Sequence, residues 1–223
     1  MCGRFTLTVE AADLQEDFGL SSVPTDWQPR YNIAPSQPIL AVTDSHVRAA
    51  EWLHWGLIPA WAKDPSISNR LINARSETLA DKPAFRSALS RRRCLILADG
   101  FYEWQHQAEK RITSQPYHFR RTDGRLFAFA GLWEIWRKPE GGEVRSCTII
   151  TCAANELVLP VHNRMPAILD GDKAWEWLET RPTPELQRLL APYPSQEMAA
   201  IPVSRAVNNP KLDTQECILP VAM

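Results

Sequence analysis

Short strand-forming segments joined by tight polar turns are the feature that most constrains the fold of this chain. Residues 117–121 and 125–136 flank a polar turn at 122–124, and Gly141-Gly142 precedes a β-branched segment at 144–152. Paired segments of this kind indicate β-hairpins. Helical patterns occur only at intervals and not between every two strands. This order favours an α+β fold with curved, mostly antiparallel, barrel-like β-sheets flanked by short helices, and argues against a doubly wound parallel sheet.

The remaining predicted elements are short and are spread along the whole chain. With 223 residues, 44% of them hydrophobic, and no internal repeat or linker, residues 1–223 are expected to form a single domain. Further strands are predicted at 39–42, 47–55, 94–98, 101–105 and 199–203. Helices are predicted over 8–18 with Thr8 as N-cap, from Asp81 through Leu89, from Asp170 through Leu178, and from a Thr183 cap with Pro184 at the first helical position.

Charge and cysteine usage limit the class of protein. The formal net charge is -1, so any polyanion would have to be held by a local cluster of arginines rather than by the field of the whole molecule. Five cysteines without a CxxC pair, and no signal peptide or long apolar run, are typical of a reduced cytoplasmic protein without a membrane segment. We expect no cofactor and no metal.

Cys2 follows Met1 directly, which is an unusual chemical position. If Met1 is removed, one residue carries both an α-amine and a thiol, with unperturbed pKa values of about 7.7–8.0 and about 8.5. Together these groups can condense with an aldehyde to a Schiff base and then close to a thiazolidine. The same residue could act as an N-terminal nucleophile in amide hydrolysis. The plain alternative is a small residue tolerated at a chain end.

Three polar residues stand among residues that are otherwise typical of a core. Glu103 lies between Tyr102 and Trp104, and apolar surroundings raise the pKa of a carboxyl towards the range useful for general acid catalysis. Asn73 and His162 are the other two. Taken singly, each has an ordinary structural explanation: a turn cap for Asn73, a solvent-facing strand position for Glu103 and a hydrogen-bonded loop residue for His162.

As an ordered set, seven short motifs closely resemble the SOS-response-associated peptidase (SRAP) family, the abasic-site processing proteins that shield damaged single-stranded DNA. The resemblance runs from residue 1 to beyond residue 204. The motifs are Met1-Cys2-Gly3-Arg4-Phe5, Tyr31-Asn32-Ile33-Ala34-Pro35, Trp55-Gly56-Leu57-Ile58-Pro59, Asn73-Ala74-Arg75-Ser76-Glu77, Asp99-Gly100-Phe101-Tyr102-Glu103-Trp104, His162-Asn163-Arg164-Met165-Pro166 and Pro202-Val203-Ser204.

The resemblance implies the SRAP fold and a covalent chemistry. In this family the initiator methionine is removed, and the exposed cysteine, here Cys2, forms a thiazolidine crosslink with the ring-opened aldehyde of an abasic site. The active-site residues that it implies are Asn73, Glu103 and His162. Their side chains suit orientation of the α-amine, protonation of the sugar ring oxygen, and assistance in ring opening and crosslink release, respectively. The implied activities are self-processing, as in a hydrolase or protease, and lyase-type Schiff-base chemistry.

DNA contacts are expected from residues near this set. Arg4, Arg75 and Arg164 each lie two residues from a proposed catalytic residue and are the candidate phosphate contacts. Trp61 and Trp104 are the candidate stacking or wedge residues, because aromatic platforms tolerate any base. Ser204 completes the set of DNA-binding candidates. The run at residues 91–93, three arginines after a predicted helix, is interpreted as a solvated surface instead.

Three other functions remain open at this point. Cys2 could serve a cysteine peptidase whose main reaction is loss of its own methionine, or it could be incidental in a non-covalent module for single strands or DNA ends. Metal binding by Cys147, Cys152 and a histidine is disfavoured, because their spacing in a strand points them to opposite faces. The expected partners are single-stranded DNA with abasic sites and replication-fork proteins. The expected state is a cytoplasmic monomer, associated with the nucleoid when bound to DNA.

Overall fold

The computed structural model describes residues 2–105 and 114–221, which form an α+β fold. The strands are β1 (Phe5–Leu7), β2 (Arg30–Ile33), β3 (Pro38–Val42), β4 (Ala50–Trp55), β5 (Asn73–Arg75), β6 (Arg93–Ala98), β7 (Gly100–Gln105), β8 (Gln115–Arg121), β9 (Phe127–Arg137), β10 (Glu143–Ala153), β11 (Arg164–Pro166), β12 (Ile168–Leu169) and β13 (Met198–Pro202). The helices are α1 (Ala11–Phe18), α2 (Pro83–Arg91), α3 (Gly171–Leu178) and α4 (Thr183–Arg188), with 3-10 turns at Pro65–Arg70, Ser76–Thr78, Ser195–Glu197, Arg205–Asn208 and Gln215–Ile218.

The smaller sheet has five strands in the order β13-β8-β7-β1-β2, and every pairing in it is antiparallel. The predicted hairpin around residues 122–124 connects β8 to β9, which belong to different sheets, so it is a turn but not a hairpin. The neighbours of β1 come from residues 30–33 and 100–101. β1 is therefore an internal strand of this sheet and lies between two partners that are distant in sequence.

The larger sheet closes on itself. β3 pairs with β4 and β6, β6 pairs with β9, β9 pairs with β10, and β10 returns to β4. All of these pairings are antiparallel except β4–β10. The predicted fold class, curved and mostly antiparallel sheets that resemble a barrel, is thereby confirmed. The long strand β10 extends beyond the ring and pairs with β5 on one side and β11 on the other.

Aromatic side chains join the two sheets. The Phe5 ring of β1 meets Trp55 of β4 and Phe129 of β9 edge-on, with centroids 5.2 and 5.6 Å apart. Phe101 of β7 stacks on Phe119 of β8 at 5.1 Å. These rings belong to one continuous hydrophobic core that includes residues of both sheets. On this basis we propose that residues 1–223 form a single domain.

The predicted N-caps of α1, α2 and α4 are wrong. Glu10, not Thr8, is the N-cap of α1, and its capping box is completed by Asp13. The Thr8 hydroxyl and amide instead donate to Asp99 at 2.5 and 2.7 Å. For α2, Lys82 is the N-cap in place of Asp81. For α4, Pro182 is the N-cap in place of Thr183, which is the first helical residue and makes Pro184 the second. Only α3 has the predicted cap, Asp170.

The arginine run at residues 91–93 is not simply solvated. Arg93 is buried, and its guanidinium donates to the carbonyl oxygens of Leu89, Trp177 and Glu179 at 2.8, 2.6 and 2.7 Å. A cation at the C-terminal ends of α2 and α3 satisfies carbonyls that have no helical partner and opposes the negative pole of each helix. The prediction of a solvated run therefore holds only for exposed Arg91.

No helix among residues 2–105 and 114–221 has the length and apolar character needed to cross a membrane.

Candidate functional site around Cys2

Strand β1 fixes the position of Cys2. Phe5 pairs with Phe101, and the Tyr102 amide donates to the Arg4 carbonyl at 3.0 Å. Continuing this antiparallel register places Gly3 opposite Glu103, which brings the chain just before β1 to the β7 residue predicted to act as an acid. Cys2 is fully buried, and its thiol points to the Arg4 carbonyl at 3.8 Å.

Asn73 reaches Cys2 from the other sheet. It begins β5, where it pairs with Ile149 in the part of β10 that extends beyond the ring. Its Nδ2 donates to the Cys2 carbonyl oxygen at 2.7 Å. Its Oδ1 is buried, and among the described residues it has no hydrogen-bond partner. The Asn73 side chain therefore holds the Cys2 backbone through Nδ2 and keeps Oδ1 at the site as a hydrogen-bond acceptor.

Glu103 lies in the middle of β7 and is only 3% exposed. Side chains alternate along a strand, so its carboxyl shares the inward face with Phe101, while Tyr102 points to the opposite face. Burial raises the pKa of Glu103 to about 7. Burial also raises the pKa of the Cys2 thiol well above its usual value, and the nearby charge of Glu103 adds to this effect.

His162 lies at the end of the turn that follows β10. His162 Nδ1 lies 3.0 Å from the amide nitrogen and 3.2 Å from the carbonyl oxygen of Arg164, so the main chain of Arg164 fixes the orientation of the ring. Gln105, the last residue of β7, donates to the Pro160 carbonyl at 3.4 Å and so ties this turn to the strand that carries Glu103. The turn bearing His162 is thus held at the same end of β7 as the predicted site.

The three arginines predicted to contact phosphates differ in how many hydrogen bonds and ion pairs they make within the protein. Arg4 Nη1 donates to Asn32 Oδ1 at 2.7 Å and to the Val207 carbonyl at 2.8 Å, and burial lowers the pKa of this guanidinium. Arg4 therefore ties β1 to β2 and to the C-terminal segment. Its part in phosphate binding stays a prediction.

Arg164 is held by Glu77 in a two-pronged ion pair, with N–O distances of 2.5 and 3.0 Å, and it also donates to the Thr151 carbonyl at 2.6 Å. Arg75 is exposed, and its guanidinium makes no hydrogen bond or ion pair with any residue that the structure describes. The pair with Arg164 lowers the pKa of Glu77, and the charge of Arg75 adds to this effect. Arg75 shares a face of β5 with Asn73, two residues away, and so points towards the same side as the Asn73–Cys2 contact. Of the three arginines predicted from sequence, Arg75 presents the most available guanidinium.

The other candidate DNA-binding side chains differ in their exposure. Trp61 is 61% exposed in the loop before β5. Trp104 is half-buried, its Nε1 donates to Asn208 Oδ1 at 2.7 Å, and the Arg4 guanidinium lies 5.9 Å from its ring centre. Ser204 caps the 3-10 turn Arg205–Asn208 by accepting from the Ala206 amide at 3.2 Å, a structural role.

Sequence reasoning missed a buried polar network beneath β1. Asp99 accepts from the Thr6 hydroxyl at 2.5 Å, and the same hydroxyl lies 3.1 Å from Nε2 of buried His118. Because the hydroxyl donates to Asp99, the imidazole Nε2 must donate to it. With the Thr8 bonds, Asp99 clamps β1 and thus the approach to Cys2. The sequence signal that could have indicated this role is the position of Asp99 at the start of the Asp99-Gly100-Phe101 motif.

Within the described part of the chain, no three His, Cys, Asp or Glu side chains are grouped closely enough to hold a metal ion. Cys147 and Cys152 are both buried, unpaired thiols. Burial raises the pKa of Cys147 well above its usual value and that of Cys152 to about 12, so both are protonated and inert near neutral pH.

The fold and site together define an α+β protein of two joined sheets, with an N-terminal cysteine buried where they meet. The family model described as "SOS response associated peptidase (SRAP)" matches residues 1–210, and the chain belongs to this family.

Named relatives and solved structures are consistent with that assignment. The chain is 47% identical to the abasic site processing protein YoqW of Bacillus subtilis (strain 168), over 98% of this chain and 99% of the relative. It is 35% identical to the abasic site processing protein HMCES of Gallus gallus, over 100% of this chain and 79% of the relative. A crystal structure of a Bacteroides thetaiotaomicron protein has the same fold, with a TM-score of 0.90 at 24% identity and coverage of 99% and 100%.

Proposed function

We propose that this protein processes abasic sites in single-stranded DNA by forming a covalent thiazolidine crosslink through Cys2, which shields the lesion as part of a DNA damage (SOS) response. The names of its relatives support the substrate class. The observation that carries the chemistry is that Cys2, Asn73 and Glu103 lie together. The Cys2 backbone is held by Asn73 at 2.7 Å, beside the buried carboxyl of Glu103.

The first step is self-processing. Hydrolysis of the Met1–Cys2 peptide bond consumes one water and frees the α-amine, which is the peptidase-like part of the activity. The Asn73 side chain holds the Cys2 carbonyl and has a free acceptor, Oδ1, for an N–H of that amine. Asn73 adds no charge, so it orients the amine without raising the pKa of that amine.

The crosslink then forms without any oxidant or reductant. The α-amine adds to the C1′ aldehyde of the ring-opened sugar, and the carbinolamine loses one water to give an imine. The Cys2 sulfur adds to the imine carbon while the imine nitrogen takes the proton, which closes the five-membered ring. The imine step is the lyase-type Schiff-base chemistry, and the thiol closure makes the adduct durable.

Glu103 and His162 supply and accept protons in these steps. A carboxyl whose pKa is about 7 is protonated in part of the molecules at neutral pH, so Glu103 can protonate the sugar ring oxygen and later the departing water. His162, whose Nδ1 is held against the main chain of Arg164, offers its Nε2 for proton transfer in ring opening and in reversal.

The DNA strand is held by charge and stacking. Arg75 provides a phosphate contact, Arg4 and Arg164 border the site, and exposed Trp61 with Trp104 provide aromatic surfaces for flanking bases. Abasic single strands arise where DNA is replicated. We therefore propose action as a cytoplasmic monomer that joins the nucleoid through bound DNA and meets replication-fork proteins there.

A denaturing gel tests the proposal. Wild-type protein is incubated with single-stranded DNA that either carries one abasic site or is intact. We expect an adduct that resists denaturation with the abasic strand only, and its loss in Cys2→Ala. Because Cys2→Ala keeps the α-amine, borohydride should still trap its imine, which separates amine chemistry from thiol closure. Cleavage of supplied peptides without an adduct would favour a peptidase, and binding without an adduct would favour a non-covalent module.

A further inference from the structure

Arg70 is a second available arginine beside the site, and the sequence motifs did not single it out. It ends the 3-10 turn Pro65–Arg70 and lies three residues before Asn73, so their Cα atoms are at most about 11 Å apart. Its side chain is exposed and makes no hydrogen bond or ion pair with any residue in the described ranges. Hydrogen bonds from the Ser66 amide and hydroxyl occupy the Asp64 carboxylate and lower its pKa, and the charge of Arg70 adds to this effect.

The backbone under Arg70 is firmly supported. A Cβ at Gly56, where φ is +129°, would lie 2.9 Å from the Ser68 carbonyl oxygen, so this glycine lets the turn pack closely against the main chain. Immediately after Arg70, the Leu71 carbonyl accepts from the Leu57 amide at 3.1 Å, and the Ile72 carbonyl accepts from the Trp55 indole at 2.9 Å. A cation on such a support loses little backbone freedom when it binds an anion.

Arg70 and Arg75 flank Asn73 along one segment. Arg75 follows Asn73 by two residues, so its Cα lies within about 7 Å of that of Asn73. Asn73, which lies between the two arginines in the sequence, donates a hydrogen bond to the Cys2 carbonyl. Other arginines around the site are engaged: Arg4 by Asn32, Arg30 by Asp213 and Arg164 by Glu77.

We propose that Arg70 binds a backbone phosphate of the DNA strand on the opposite side of the lesion from the phosphate bound by Arg75. The two guanidiniums then bracket the abasic sugar and hold it over Cys2. This inference rests on the proposed function for its ligand, a single strand with a lesion. It adds a contact that fixes the position of the strand and reads no base.

The test measures non-covalent binding, so that it does not depend on the crosslink. In a Cys2→Ser background, fluorescence anisotropy gives the affinity for a single strand that carries a non-reactive abasic analogue, at several salt concentrations. Each single-strand phosphate contact contributes about 0.7 to the slope of log affinity against log salt. We expect Arg70→Gln and Arg75→Gln each to reduce that slope by about 0.7, and Arg70→Lys to restore most of it.

Arg91→Gln is the matched control, because Arg91 is an exposed arginine at the end of α2, distant in sequence from the site. It should leave the slope unchanged. Strands truncated at the analogue test the geometry. Removing the nucleotides on one side should abolish the effect of Arg70→Gln, and removing those on the other side should abolish that of Arg75→Gln.

Two results would overturn this proposal. One is a salt slope that does not change in Arg70→Gln, and the other is a single truncated strand that abolishes the effects of both Arg70→Gln and Arg75→Gln. If the slopes change as expected while the wild-type protein forms no adduct, the proposed phosphate contacts of Arg70 and Arg75 are supported and the proposed covalent function is wrong.

Discussion

At the scale of single residues, the central feature is a carboxyl whose environment suits proton transfer. Glu103 is nearly inaccessible to solvent, and burial raises its pKa to about 7. The acid form is therefore dominant below pH 7 and is lost as the pH rises through about 7, a range in which an ordinary surface glutamate, with a pKa of about 4.3, is already ionised. Its backbone lies opposite the segment that carries Cys2, which places this acid beside that residue.

Replacing Glu103 with Gln tests this role. We expect crosslinking at pH 6 to be at least about 10-fold slower than in wild type, since general acid catalysis typically contributes 100-fold or more. Because the glutamine cannot donate a titrating proton, the ratio of wild-type to variant rate should fall as the pH rises through about 7.

Single-turnover rates measured by quenched gel assays from pH 5 to 9 give this ratio, with DNA affinity as the control for binding. A ratio that stays constant across that range would show that Glu103 does not act as the acid.

The sequence located these residues better than it described their surroundings. Asn73 and Glu103 were singled out from motifs, and the structure brings both to Cys2. Pattern alone could not foresee that Arg4 would bond to Asn32 or that Arg93 would be buried under helix ends. Those partners are distant in sequence, and a single chain gives no signal for such pairings.

At the scale of elements, a turn with special backbone geometry supports the loop before β5. Gly56 has a φ of +129°, a conformation that side chains other than glycine rarely adopt, and it lies against the Ser68 carbonyl. The backbone geometry therefore explains why glycine follows Trp55 in the motif that begins there. This geometry lets the chain leave the barrel and hold the turn that precedes Asn73.

Gly56→Ala should destabilise the protein through both backbone strain and contact with Ser68. We expect a loss in the free energy of unfolding of about 1–3 kcal/mol or more, measured from urea midpoints. Gly141→Ala is the matched control, because Gly141 has a φ of +101° with nothing within 4 Å of an added Cβ, so it carries the strain alone. An equal or smaller loss for Gly56→Ala would contradict the close packing.

Elements with many residues were predicted well and the shortest ones were not. The strands at 39–42, 94–98 and 144–152 correspond to β3, β6 and β10 within one or two residues. β1, β2, β5, β11 and β12 were missed, because two to four residues carry too little periodicity to distinguish them from loop. These short strands include the ones that position the site, since β1 leads to Cys2 and β5 begins at Asn73.

At the scale of the whole molecule, the site lies where two sheets meet. β1 belongs to the five-stranded sheet, and β5 is attached to β10 of the closed sheet. Only their association brings Cys2 to Asn73, so an intact fold is a condition for the chemistry. The net charge of -1 gives a DNA strand no general attraction, so the binding that we propose depends on local arginines such as Arg75 and Arg70.

The most direct test of the account is whether the crosslink needs the α-amine of Cys2 as well as its thiol. Protein with Cys2 as its first residue is compared, by intact mass spectrometry, with the same protein after acetylation of that amine, using abasic single-stranded DNA. The account predicts an adduct equal to protein plus DNA minus one water in the free-amine form, and none in the blocked form. An equal yield of adduct from the blocked protein would contradict it.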